Sequence, residues 1–94
     1  SHDIIPLRTD EAVMCDVDLS ILGADPGKYD EYEMQIRLEY RQVPENMFRS
    51  ARYQIMRKFY ERPWVYLTDY ARERWEKQAK DNLGRTLARL RDVA

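Results

Sequence analysis

Three prolines, Pro26, Pro44 and Pro63, do more than any other feature to limit what this chain can fold into. Proline lacks a backbone N–H and disfavours helix at the residue before it, so each one ends or restarts a helix. Between these breaks the apolar residues recur at three- and four-residue steps, the period of an amphipathic helix. Val13, Val17 and Ile21 mark the first run, with Met14 and Leu22 beside them, and Gly23 reads as a left-handed terminator. Asp25-Pro26 gives a cap followed by proline in the first turn. Tyr29, Tyr32, Ile36 and Tyr40 carry the second run until Val43-Pro44, and Phe48, Ala51, Ile55 and Phe59 the third until Arg62-Pro63. Trp64-Val65-Tyr66-Leu67 is a short apolar connector, expected to be packed. Thr68 or Asp69 caps the last helix, where Trp75, Ala79, Leu83, Leu87 and Leu90 keep the period.

The fold class is therefore all-α, a four-helix array in one domain over residues 1–94. The spacing predicts helices near 10–23, 26–42, 45–62 and 69–92 behind an extended lead-in over residues 1–9. It also predicts burial of Val17, Ile21, Ile36, Phe48, Ile55, Phe59, Trp75 and Leu83.

Charge excludes several functions. Sixteen basic and seventeen acidic residues are intermixed, for a net charge of −1, so no like-charged block favours nucleic acid or an anionic membrane. Arg49, Arg52, Arg57 and Lys58 interleave with Phe48, Tyr53, Phe59 and Tyr60, which reads as a solvated face beside a core stripe. Cys15 is the sole cysteine, so no internal disulfide can form, and a reducing cytoplasm is the expected setting. No apolar run approaches the ~18 residues of a membrane span, and the N-terminus has no signal-peptide core. The first residue is Ser1 rather than Met, which leads us to expect further sequence upstream.

Cys15-Asp16-Val17-Asp18-Leu19 places two carboxylates inside an apolar helical run. Burying a carboxylate costs free energy unless it is paired or binds a metal. Successive helical residues turn by about 100°, so Asp16 and Asp18 cannot both enter one site. Asp16 shares a face with Ala12, Ser20 and Gly23, whereas Asp18 lies nearer Met14, Cys15 and Leu22. Asp18 is therefore expected to face a polar groove and Asp16 is the second choice. The competing reading has one Asp solvated and the other bonded to an Arg or a Tyr. His2-Asp3 lies in the lead-in ahead of Pro6, where a His near a chain terminus is expected to be solvated. With one His, no glycine-rich phosphate loop and no base near Cys15 or the serines, no complete catalytic set can be assembled.

Four segments together are similar to the C-terminal half of a bacterial family of predicted metal-dependent HD-superfamily phosphohydrolases. They are Asp16-Val17-Asp18-Leu19-Ser20-Ile21-Leu22-Gly23; Tyr29-Asp30-Glu31-Tyr32 with Ile36-Arg37-Leu38-Glu39-Tyr40; Phe48-Arg49-Ser50-Ala51-Arg52; and Val65-Tyr66-Leu67-Thr68 with Ala79-Lys80-Asp81-Asn82-Leu83. The resemblance implies the C-terminal portion of an HD-domain-like helical fold, with Asp18 as the final metal-binding Asp and Asp16 as the alternative. It implies that His2 faces the metal or phosphate pocket, since Ser1-His2 is similar to the end of a segment that carries a Thr and a His in such proteins. Arg37 and Tyr40 fall in a family motif and would orient substrate phosphate or brace helices. A divalent metal ion would activate water against a phosphate ester in the intact protein. The first His and the His-Asp pair of the family pattern are not in this chain, so the chain alone is expected to bind no metal and to be inert. Its expected partners are the missing N-terminal half or a second copy of itself, meeting through the first helix, and a phosphorylated small molecule. A free-standing helical interaction module without catalysis is the alternative, and nucleic-acid binding by the third helix a distant third.

Overall fold

The computed structural model describes residues 9–91, and all regular structure within them is helical. Four α-helices follow in order: α1 (Thr9–Asp18), α2 (Pro26–Glu39), α3 (Glu45–Glu61) and α4 (Asp69–Arg91), with a 3-10 turn over Ser20–Gly23 between the first two. The all-α, four-helix expectation holds. The lead-in expected over residues 1–9 lies, except for Thr9, outside the described residues, and Thr9 itself begins α1.

The first helix is shorter than its apolar period predicts. Leu19 N–H still bonds Cys15 O at 3.1 Å, but Leu22 N–H then bonds Leu19 O at 3.1 Å, so the chain tightens into 3-10 geometry. The cause is close packing at Gly23. A Cβ there would lie 2.7 Å from Trp75 Cβ and 2.8 Å from Trp75 O, so only glycine lets the turn press on α4. Gly23 is not the left-handed terminator its position suggests, since no described glycine has a positive φ. Pro26 opens α2 behind the N-cap residue Asp25. Arg37 closes that helix three residues earlier than predicted, donating to Tyr40 O and Val43 O at 3.1 Å each. Lys80 does the same for α3, with its Nζ 2.6 Å from both Tyr60 O and Arg62 O. These cations sit where exposed C-terminal carbonyls favour positive charge.

α4 is the central element, packed along α3 and against the 3-10 turn. Leu22, Tyr29, Met56, Val65, Tyr66, Ala71, Ala79 and Leu83 form the buried core, and Leu19, Ile21, Phe59, Trp75 and Leu87 pack around it. Of the eight residues expected to be buried, Leu83 is fully so, while Ile21, Ile36, Phe48, Phe59 and Trp75 are half-buried. Val17 and Ile55 are corrections, at 52% and 47% exposed. On α3 the fully buried residue is Met56, one position round from Ile55, because α3 turns towards α4 the row containing Met56 and Phe59. The core is also partly polar. Tyr29 Oη lies 2.6 Å from Thr86 Oγ1, and Asn82 Nδ2 donates to Leu22 O and Ala24 O at 2.9 and 2.8 Å. Burial pushes the Tyr29 phenol up to about 12, with the Thr86 bond partly opposing it. Tyr66 is raised in the same way.

Candidate functional site

The connector between α3 and α4 is the first place to look for charge, because two buried carboxylates converge on it. Val65 and Tyr66 are fully buried, as expected of a packed connector, whereas Trp64 and Leu67 at its two ends are exposed. Their N–H groups, at 2.8 and 3.2 Å, donate to the carboxylate of Glu76 on α4. The next two, from Leu67 and Thr68, donate to Asp16 on α1 at 2.8 Å each, and the Thr68 hydroxyl adds a bond of 2.7 Å. Thr68 Oγ1 in turn accepts the Ala71 N–H at 3.2 Å, which caps α4 as predicted. Tyr66 Oη donates to Leu19 O at 2.9 Å, closing the joint on the α1 side. Four consecutive amides of an irregular segment thus end on two side chains, satisfying groups that would otherwise be stranded in the core.

This joint reverses the expected orientation of the two aspartates. Asp16 is 2% exposed and has its oxygens occupied by three donor groups, so it holds structure. Asp18 is solvent-exposed and has no hydrogen bond or ion pair to another described residue. One Asp is bonded and the other solvated, as the competing reading has it, but the partners of Asp16 are backbone amides and the Thr68 hydroxyl rather than an Arg or a Tyr. The signal for Asp16 was present in the sequence. Ala12, Ser20 and Gly23 share its face, and a stripe of small residues marks where another segment approaches closely.

Asp18 lies on the side of α1 that carries Met14, next to Val13 and Val17 in the helical rotation. These three apolar residues are exposed, Met14 at 59%. α1 therefore presents a carboxylate beside a continuous apolar face that no described element covers.

The other expected site residues lie elsewhere. Arg37 is taken up by its own corner: besides its two carbonyl bonds it pairs with Glu45 at 3.1 Å and stacks over Phe48. Tyr40 is exposed and serves as the C-cap residue of α2. Both brace the α2–α3 turn. Arg37 lines a cleft between α2, α3 and α4, a cleft that Asp18 does not line. His2 lies outside the described residues. Among the described residues, no three His, Cys, Asp or Glu side chains are grouped to hold a metal ion. Asp18 could supply one ligand, and Asp16, with its oxygens occupied, is unsuited to supply another. The described residues alone do not make a metal site.

No described helix is long and apolar enough to cross a membrane. Comparison with protein-family models, with curated proteins and with solved structures found no match for this chain.

Proposed function

We propose that this chain is the C-terminal helical part of a cytoplasmic, metal-dependent phosphohydrolase of the HD type. In this reading Asp18 contributes one ligand to a divalent metal ion, and a His and a His-Asp pair upstream in the intact protein contribute the rest. The observation that carries it is the pairing of an uncommitted carboxylate with a bare apolar face on α1. A helical layer laid over Val13, Met14 and Val17 would bury that face and bring its own side chains to Asp18. The bonds of Asp16 to the connector fix the rotation of α1 that presents Asp18 outward. The phosphorylated substrate would then be bound mainly by the upstream half, because Arg37 and Tyr40 are occupied at the α2–α3 turn. The 94-residue chain alone is inert in this reading.

Metal-dependent hydrolysis of a simple phosphomonoester by the intact protein tests it. Asp18→Asn should lower kcat/KM by more than the ~10–100-fold typical of outer partners of a metal site, with the helical signal unchanged. Full activity in that variant would overturn the reading. So would an intact protein lacking the upstream His and His-Asp pair. That second result would favour the interaction module, with the α1 face as its contact surface.

A further inference from the structure

A groove runs between α3 and α4, and no described element fills it. Two cavities, of about 720 and 370 Å³, meet at Tyr53 and Arg91 and together follow α3 from Glu45 to Glu61. That stretch of helix is roughly 24 Å long. Tyr53, Tyr60, Leu87, Ala88 and Leu90 give the groove apolar walls. Most charges on its rim are already matched: Glu45 pairs with Arg49 at 3.4 Å and Glu61 with Arg57 at 2.7 Å. The exposed side chain of Arg91, where the two cavities meet, has no ion pair or hydrogen bond to another described residue.

α1 has the complementary features. From Thr9 to Asp18 it carries four carboxylates and no Lys or Arg. Val13, Met14 and Val17 are exposed along it, and Asp18 at its end is exposed and unpaired. We infer that the groove receives α1 of a second copy of this chain, with Val13, Met14 and Val17 against Tyr53 and Leu90, and Asp18 on Arg91. An amphipathic helix laid in an apolar groove is a recurrent mode of recognition. α1 has ten residues and is roughly 15 Å long, short enough to lie within the groove. Two charges left single in one chain become a pair across the contact, and two apolar surfaces are covered at once. Because the two surfaces differ, the contact is head-to-tail and can be repeated from copy to copy. It does not depend on the metal reading; a layer laid over α1 in the intact protein would compete for the same face.

Light scattering of the 94-residue chain over a range of concentrations tests this, at low ionic strength where exposed charges are least screened. The mean mass should rise above that of one chain with a midpoint on the order of 100 µM, as suits a small interface. Asp18→Arg and Arg91→Glu should each raise that midpoint by at least about fivefold. Mixing these two variants should restore association, because the reversed charges then face each other. Met14→Ser should weaken association with no change of charge. Lys58→Glu changes the charge as much as Arg91→Glu does, on an exposed side chain that lines neither cavity, and should leave the midpoint where it is. Circular dichroism checks that each variant stays helical. A chain still monomeric at about 1 mM, a mixture that associates no better than its components, or equal weakening by Lys58→Glu would overturn the contact. No metal or phosphate ester enters the measurement, so its failure leaves the phosphohydrolase reading where it stands.

Discussion

At the residue scale, Asp16 and Asp18 stand two positions apart and differ in everything their surroundings impose. Replacing Asp16 by Asn keeps the shape but turns one acceptor into a donor facing the amides of Leu67 and Thr68. The expected cost is about 2–4 kcal/mol, since charge-assisted bonds are lost and a buried donor is left unpaired. Asp18→Asn should change stability by less than about 0.5 kcal/mol, as for other exposed positions. Urea unfolding of the two variants beside the parent measures both; equal loss in the two would contradict the assigned roles. That contrast was half legible in the sequence. Period and angle showed that the two carboxylates must diverge. Apolar neighbours along its face point to burial of Asp18, yet on α1 the apolar residues Val13, Met14 and Val17 face outward and the small ones lie on the face of the buried Asp16.

At the scale of the elements, the prolines and the three-to-four spacing place α2, α3 and α4 to within three residues, because both act locally, whereas α1 ends five residues sooner than its period predicts. Ends were displaced where a distant residue intervened, as Trp75 does at Gly23 and Lys80 at the end of α3. The buried row of α3 was misread by one position because Ile55 and Met56 are both apolar, and only the placement of α4 chooses between them. The joint at Val65–Thr68 was legible as packed but not in its chemistry, since Asp16 and Glu76 lie far from it in sequence. Gly84 offers a test of the last helix. A Cβ there would meet Tyr60 Cε1 at 3.5 Å, an ordinary contact, and glycine is a poor helix former. Gly84→Ala should therefore stabilise the fold by about 0.5–1 kcal/mol, read as a higher melting temperature. A fall in melting temperature would mean that α4 and α3 pack more tightly at Tyr60 than described.

For the molecule as a whole, alkaline pH probes the polar core. Tyrosine in an unfolded chain loses its proton near 10.0, whereas Tyr29 in the fold holds it to about 12 because burial opposes the phenolate. Over that window the folded state binds more protons than the unfolded one, so stability falls as pH rises. Tyr66, raised by burial in the same direction, adds to the fall. The urea midpoint should drop steadily above about pH 10, and Tyr29→Phe should make the drop shallower. An unchanged midpoint up to pH 12 would place both phenols in contact with solvent. The joint between α1 and the connector has a different consequence, one of timing. Asp16 leaves the ribosome first, but the amides it must bind come 51 residues later. At the usual ~5–20 residues per second of synthesis, its carboxylate waits roughly 3–10 s for them. Throughout that interval α1 can form by local bonds but lacks the connector amides that fix its rotation. The first of the four described helices is thus held only once the connector ahead of the last one has been made.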